Sequence, residues 1–326
     1  MSSPTVDILA FVLCSLVILI SGTQLSHYGD RLADITGISK AWIGLVLMST
    51  VTSLPELVTG LSSVVVVDAP DLAAGNIFGS CAFNLLILSV LDLLARKPVT
   101  SLVKPSHIIT GAFSIILLSV AGLAMNTDVA SLKIWWISPM SIVLIVVYLI
   151  AIRVVFQNER VVSADEPPVQ PGNGVRKVLM IYLLHAGIVV SAALFLPYFG
   201  ERIADHFSIA DTVFGTLFLA ISTSFPEIVV SVSAVRLGTP DMAMGNLLGS
   251  NVFNITILVM LDLVYVRDSI FHSISTRHSI SIFSSIIMTA IVAIGLVVRP
   301  ERKRWRLGFD GILILVIYLI NIFILR

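Results

Sequence analysis

Charged residues are scarce in this sequence of 326 residues. Lysine, arginine, aspartate and glutamate make up 12% of the chain, whereas a soluble domain carries about 25%. Hydrophobic residues make up 57%, and the mean hydropathy is +1.01. Because so little polar sequence remains to form a charged surface, the composition excludes an ordinary soluble protein and indicates a lipid bilayer as the environment. The formal net charge of zero gives no reason to expect a nucleic-acid partner.

Cysteine and histidine are also few. Cys14 and Cys81 are the two cysteines, and both lie inside apolar runs, which argues against a disulfide framework. No group of cysteines and histidines has the spacing of a zinc site. The sequence therefore predicts no resident cofactor, and no motif in it specifies an obligate protein partner.

Apolar stretches of about 20 residues recur along the chain, and a stretch of this length crosses the hydrocarbon core of a bilayer as a helix. The sequence predicts an all-α integral membrane protein with ten transmembrane helices. The predicted spans are 6–26, 41–67, 71–94, 106–126, 134–153, 178–199, 211–235, 241–264, 279–298 and 308–325.

The distribution of basic residues predicts the orientation of these spans. With ten spans both termini lie on one side of the membrane, and only 5 of the 20 lysines and arginines fall on that side. Because cytoplasmic loops carry the excess of basic residues, we expect both termini outside. The longest loop, 154–177, is rich in proline, glycine and acidic residues and is predicted to be a flexible cytoplasmic linker.

An internal repeat divides the chain. GDRLAD at 29–34 matches GERIAD at 200–205, TSLPE at 52–56 matches TSFPE at 223–227, and PDLAAGNIFGSCAFN at 70–84 matches PDMAMGNLLGSNVFN at 240–254. Five predicted spans, an odd number, separate the copies, so the second copy crosses the membrane in the opposite direction. We therefore predict two inverted-topology repeats of five helices, 1–153 and 178–326. Secondary transporters often have such repeats, with the substrate site at the midplane.

One glutamate of each copy lies in the middle of a predicted span. Glu56 and Glu227 fall near the bilayer centre, where an ionised carboxylate costs several kcal/mol. The second, third, seventh and eighth spans, as predicted, contain no lysine or arginine to pair with them. Either the two acids are protonated or a mobile cation neutralises them, and we favour the mobile cation.

Further oxygen donors accompany these glutamates. Pro55 and Pro226 lack an amide proton, so each loosens its helical turn and frees backbone carbonyls near Thr52 and Thr223. The hydroxyl and amide side chains in the same motifs are Ser53, Ser224, Ser80, Ser250, Asn84 and Asn254. A flexible, all-oxygen site suits Ca²⁺, and subsets of its donors suit Na⁺. The two carboxylates together balance one Ca²⁺ or two Na⁺.

The doubled motif, TSLPE with GNIFGSCAFN and TSFPE with GNLLGSNVFN, resembles the two alpha-repeats of the cation/calcium exchanger superfamily, in particular of compact prokaryotic sodium/calcium antiporters. The resemblance covers nearly the whole chain. It implies that Glu56 and Glu227 are the principal Ca²⁺ ligands and also serve Na⁺, in the cell membrane of a prokaryote. The other implied ion ligands are Ser53, Ser224, Ser80, Ser250, backbone oxygens near Thr52 and Thr223, and the side chains of Asn84 and Asn254.

The sequence departs from the superfamily pattern at several positions. The glycine that usually precedes Thr-Ser is Val51 in one copy and Ser222 in the other, and the amide often found after Gly-Ser is Cys81 in the first copy. Both central positions are asparagine, whereas some sodium/calcium members have one aspartate there. These changes keep the two glutamates but leave the counter-ion open.

We expect a secondary active antiporter that exchanges Ca²⁺ for Na⁺ by alternating access, with the first and sixth spans sliding across the other eight, and no enzymatic activity. The nearest alternative is a Ca²⁺/H⁺ exchanger, in which the glutamates take up protons when the metal leaves. A cation channel is disfavoured by the inverted repeats. An intramembrane hydrolase is disfavoured because Ser53 and Ser224 have no histidine or aspartate in their motif to act as a base.

Overall fold

The computed structural model describes residues 4–127, 134–162, 174–207, 221–304 and 306–325, which are mostly helical. In chain order the α-helices are α1 (Pro4–Thr36), α2 (Lys40–Trp42), α3 (Ser49–Thr52), α4 (Leu54–Val65), α5 (Pro70–Leu94), α6 (Val99–Leu102), α7 (His107–Asn126), α8 (Pro139–Val162), α9 (Val175–His206), α10 (Phe225–Arg236), α11 (Pro240–Val264), α12 (Ile270–Ser273), α13 (Ser279–Val298) and α14 (Phe309–Leu325). A π-helix, π1 (Ile43–Met48), joins α2 to α3.

Eight helical segments among the described residues are long and apolar enough to cross a membrane. They include α1, α5, α7, α8, α9, α11, α13 with its preceding turn, and the interrupted segment Lys40–Val65. The predicted tenth span corresponds to α14, which has 17 residues. Only the end of the predicted seventh span, from residue 221, lies within the described residues. The protein is therefore a helical membrane protein, and the full set of ten spans stays a prediction.

Several helices do not begin or end where the predicted spans do. The first span was expected to end at residue 26 and the sixth at 199, but α1 continues to Thr36 and α9 to His206. A helix need not end where hydropathy falls, because polar side chains in its last turns can be solvated outside the hydrocarbon. The fifth span starts at Pro139 rather than 134, since residues 134–137 form a turn with Trp135 at a φ of 63°.

Helix also occupies both ends of the predicted linker. Helix α8 runs to Val162 and α9 begins at Val175, while residues 163–173 of the linker lie outside the described residues. The division of the chain into 1–153, 154–177 and 178–326 stays a prediction.

Helices α5 and α11 form the centre of the molecule. In α11, 83% of the most apolar stretch is buried inside the protein, compared with 22% in α1. Apolar side chains of α11 pack against α5 on two sides, through Leu248 in one cluster and Leu258 in another. Helices α1 and α9 pack along each other at the periphery, with exposed leucines such as Leu9 and Leu13 suited to lipid.

One aspartate at the end of each central helix makes the same contacts. The Asp92 carboxylate accepts hydrogen bonds of 2.7 Å from the first amide of α6 and from the amide of Gly308. The Asp262 carboxylate accepts bonds of 2.8 Å from the first amide of α12 and from the amide of Ser138. These donors occupy matched positions in the two copies of the sequence repeat. We call this contact the aspartate clamp.

Candidate functional site

Both TS[LF]PE motifs form a break in a buried helix. Ser53 has a φ of −92° and a ψ of 2°, and Ser224 has −91° and 14°, so neither residue is helical. Helices α4 and α10 start directly after these serines, with Pro55 and Pro226 in their first turns. Proline fits the first turn because its missing N–H would have no intrahelical acceptor there. The expected kinks are therefore breaks of one residue, at Ser53 and at Ser224.

The break frees backbone oxygens in the first copy. The helical hydrogen bonds resume with the Leu57 N–H donating to the Ser53 carbonyl at 3.2 Å. Pro55 has no N–H, so the Val51 carbonyl has no helical donor four positions later. In the second copy the Ile228 N–H donates to the Ser224 carbonyl at 3.3 Å. The Val51 carbonyl therefore lacks its helical partner, as Pro55 predicts.

Glu56 and Glu227 lie in the first turns of α4 and α10 and are completely buried. Ser53, in the same motif as Glu56, contacts Glu227 directly. Neither glutamate forms an ion pair with any described residue. A helix N-terminus stabilises an anion by about 0.3–2 kcal/mol, less than the several kcal/mol that burying each charge costs. A proton or a metal cation is therefore needed to neutralise the pair.

Three serine hydroxyls lie beside the two carboxylates. Ser53 donates to Glu227 Oε1 at 3.3 Å, although the serine belongs to the first copy and the glutamate to the second. Ser80 donates to Glu56 Oε1 at 3.4 Å, and Ser224 donates to Ser80 at 3.4 Å. The Oε2 atoms of both glutamates have no hydrogen-bond partner among the described residues. The structure thus brings together five of the predicted site residues around two free carboxylate oxygens.

Thr52 joins this group to α11. Its hydroxyl lies 3.4 Å from the Ser250 hydroxyl and donates to Asn246 Oδ1 at 3.3 Å. Asn246 in turn donates to Ser231 at 3.0 Å. Thr223, the counterpart of Thr52, is also buried. Four polar side chains are therefore joined by hydrogen bonds: the predicted site residues Thr52 and Ser250, and Asn246 and Ser231, which were not predicted.

The two central asparagines differ in their surroundings. Asn84 donates to Asn251 Oδ1 at 3.1 Å, and Asn251 donates to the Cys81 carbonyl at 3.1 Å. Both side-chain atoms of Asn254, and Oδ1 of Asn84, are buried without a hydrogen-bond partner among the described residues. Asn251 was missed by the sequence reasoning. Its signal was present, because it occupies in the second copy the position of Cys81 in the first.

Besides Asn254 Nδ2, four unbonded side-chain atoms at this site are oxygens. They include Oε2 of Glu56 and Glu227 and Oδ1 of Asn84 and Asn254. Within the described residues no three histidine, cysteine, aspartate or glutamate side chains cluster as a metal centre. An ion at this site would depend on hydroxyl, amide and carbonyl oxygens as well as on the two carboxylates. Such a donor set favours Ca²⁺ or Na⁺ over zinc or copper.

Glycines hold the site's helices in close backbone contact. A Cβ atom on Gly245 would lie 2.4 Å from the Ala41 carbonyl oxygen, and one on Gly249 would lie 2.5 Å from that of Leu45. A Cβ atom on Gly44 would lie 2.2 Å from the Met242 carbonyl oxygen. This packing fixes α2 and π1 against α11, and so sets the position of the downstream break at Ser53.

The model of the family described as sodium/calcium exchanger protein matches residues 6–157 and 177–326. The chain belongs to this family. The expected membership of the cation/calcium exchanger superfamily is thereby confirmed, and the family is one of ion exchangers rather than enzymes. The exchanger family's match extends over both copies of the repeat.

Similar proteins match different fractions of this chain. An uncharacterized membrane protein of Methanocaldococcus jannaschii is 26% identical over 318 residues, 97% of each chain. The sodium/calcium exchanger MaX1 of Methanosarcina acetivorans is 34% identical over 152 residues, 45% of this chain and 40% of MaX1. A structure of the sodium-calcium exchanger NCX_Mj soaked with 10 mM Na⁺ and zero Ca²⁺ matches with a TM-score of 0.78. That match covers 99% of this chain and 100% of NCX_Mj at 23% identity, and it shows a common fold.

Proposed function

We propose that this protein is an antiporter that exchanges Ca²⁺ for Na⁺ at a site formed by Glu56 and Glu227. The observation that carries the proposal is the pair of completely buried carboxylates, each with an unbonded Oε2 atom and no ion pair among the described residues. The family membership and the name of MaX1 support Ca²⁺ and Na⁺ as the transported ions.

The charge of the site supports exchange between these ions. Two carboxylates balance one Ca²⁺ or two Na⁺, so either load leaves the buried site neutral. Glu56 and Glu227 are the ligands common to both ions. The other proposed ligands are the carbonyls near Thr52 and Thr223, the hydroxyls of Ser53, Ser224, Ser80 and Ser250, and the amides of Asn84 and Asn254.

The hydroxyl contacts provide a reason for competition between the ions. Ser53 donates to Glu227 and Ser80 donates to Glu56, so both hydroxyl oxygens lie within hydrogen-bond distance of a carboxylate. An arriving cation would instead attract the hydroxyl oxygens and both carboxylates. Because Ca²⁺ and Na⁺ would draw on the same oxygens, binding of one disfavours binding of the other.

Alternating access in this proposal involves α1 and α9. These helices pack along each other at the periphery, and α1 also packs against α10, which carries Glu227. Ser26 in the middle of α1 donates to the Val230 carbonyl of α10 at 2.9 Å. If α1 and α9 slid together, different residues of these two helices would cover the site. The central helices α5 and α11 would stay in place. We retain ten spans, inverted halves and outside termini as parts of this proposal.

Flux measurements in proteoliposomes test the proposal and its nearest alternative. We expect an outward-directed Na⁺ gradient to drive uptake of ⁴⁵Ca²⁺ at constant pH. A pH gradient without Na⁺ should drive no uptake. Uptake driven only by the pH gradient would establish Ca²⁺/H⁺ exchange instead, and uptake that needs no counter-ion would indicate a channel.

A further inference from the structure

A second pair of buried carboxylates lies at the ends of α5 and α14. Asp92 and Asp310 are each 3% exposed, and they border a cavity of about 10 Å³. The polar residues that line the cavity are Ser89, Asp92, Thr100 and Asp310. From Asn84 to Asp92 the chain makes about two turns of α5, or ~12 Å, so the cavity is separate from the two glutamates.

The two aspartates differ in how many of their carboxylate oxygens accept a hydrogen bond. Asp92 forms the aspartate clamp, in which each carboxylate oxygen accepts an amide hydrogen bond. Lys303 donates to the backbone carbonyls of Asp92 and Ala95 and so places a positive charge nearby. Asp310 Oδ2 accepts a hydrogen bond of 2.5 Å from Thr100, but Oδ1 is buried with no partner among the described residues. The uncompensated atom therefore belongs to Asp310.

The other copy of the repeat shows that the clamp does not need these extra polar groups. The positions that match Ser89, Thr100 and Asp310 are Val259, Phe271 and Met140. Val259 and Phe271 are buried in an apolar cluster, and Met140 packs against that cluster. The Asp262 clamp is nevertheless complete. Around Asp262 the additional polar contact is a 2.6 Å hydrogen bond from Ser141, whose counterpart in the other copy is Gly311. The positions of Ser89, Thr100 and Asp310 are thus apolar in the second copy and polar in the first.

The charge of the cavity selects the class of ligand. With Asp92 and Asp310 both ionised, Lys303 would balance one of the two negative charges, and one negative charge would remain. A monovalent cation balances it, whereas Ca²⁺ would leave an excess positive charge and requires six to eight oxygens. The accessible volume, about 10 Å³, holds a single species the size of a water molecule. Na⁺ meets both conditions.

We propose that Asp310, with the Thr100 and Ser89 hydroxyls and the Asp92 carboxylate, forms a second Na⁺ site, distinct from the two-glutamate site. Its ligand set is all oxygen, with one carboxylate oxygen free to bind. Bound Na⁺ would join α5 to α14, because Asp92 and Ser89 belong to α5 and Asp310 to α14. The ion would therefore stabilise the folded protein.

Thermal unfolding of the purified full chain tests this site without relying on transport. The parent for the test carries Glu56→Gln and Glu227→Gln, and the probe is NaCl replaced stepwise by choline chloride at constant ionic strength. We expect the unfolding temperature of this parent to rise with Na⁺. Asp310→Asn should abolish that rise, and Thr100→Val should shift it to higher Na⁺ concentration. Asp68→Asn, at an exposed ion pair with Arg267, should leave it unchanged.

Several results would overturn the second site. The first is an unfolding temperature of the parent that does not respond to Na⁺. Another is a rise of the unfolding temperature with Na⁺ that both Asp310→Asn and Thr100→Val leave unchanged. Such a rise would mean that Na⁺ binds elsewhere in the protein. A response to pH but never to Na⁺ would show that Asp310 is neutralised by a proton instead. Because the glutamates are absent from the parent, failure here leaves the proposed exchange function unaffected.

Discussion

Gly249→Ala tests whether close helix packing positions the ion site. The new Cβ atom would lie 2.5 Å from the Leu45 carbonyl oxygen and 2.8 Å from its Cα atom. Ordinary contacts begin at 3.4 Å, so π1 and α11 would have to separate by about 0.9 Å. Because backbone atoms form the contact on the π1 side, no side-chain rotation can relieve it.

The cost follows from overpacking. Inserting a methyl group into a well-packed interior costs about 1–3 kcal/mol, and we expect the upper part of this range because backbone must move. The displaced Leu45 carbonyl also accepts a hydrogen bond from Ser49. Residue 250 follows the substitution directly, so the 3.4 Å contact between Ser250 and Thr52 should lengthen as well. We therefore expect loss of both stability and transport.

Thermal unfolding and ⁴⁵Ca²⁺ uptake measure these two effects. The matched control is Gly187→Ala in the middle of α9, where an added Cβ atom would meet no described atom within 4 Å. We expect the control to retain transport and to keep or gain stability, by no more than about 1 kcal/mol. Equal unfolding temperatures and equal uptake in the two variants would refute the packing argument.

Three further substitutions test the polar contacts. Asn251→Leu removes the amide that links α11 to Asn84 and Cys81 of α5, and we expect a loss of about 1–3 kcal/mol in unfolding free energy; a stability equal to wild type would contradict this. Asp262→Ala leaves two buried amides without an acceptor, so it should lower the unfolding temperature far more than Asp68→Ala, at an exposed ion pair. Ser80→Ala should raise the Na⁺ concentration needed for half-maximal Ca²⁺ uptake in a protein of normal stability; an unchanged Na⁺ dependence would exclude Ser80 as a ligand.

The glutamates and helix breaks could be predicted because they conflict with the local chemistry of a membrane helix. A carboxylate in an apolar span needs a group that neutralises its charge, and a proline leaves a backbone carbonyl without its usual donor. The sequence alone shows both of these needs. Glu56 and Pro55 each carry such a conflict, and the internal repeat doubles the signal at Glu227. Family membership followed from the same motifs and is confirmed.

Features that depend on tertiary packing could not be predicted. Nothing local to Ile43–Met48 indicates a π-helix, which lies where Gly44 meets the backbone of α11. The ends of α1 and α9 could not be predicted because hydropathy reports the bilayer boundary rather than the end of helical hydrogen bonding. Asp310 lies near the start of the last predicted span, and its neighbour Asp92 is more than 200 positions away, so only the fold shows the pair.

The central claim is that Glu56 and Glu227 together hold the transported ion, and Na⁺-driven ⁴⁵Ca²⁺ uptake by glutamine variants tests it most directly. Glu56→Gln and Glu227→Gln should each abolish uptake while keeping the protein folded, because glutamine retains the shape but removes a charge. Glu301→Gln, at an exposed residue, should transport normally. Normal Na⁺-driven uptake by either buried glutamine variant would contradict the two-glutamate site.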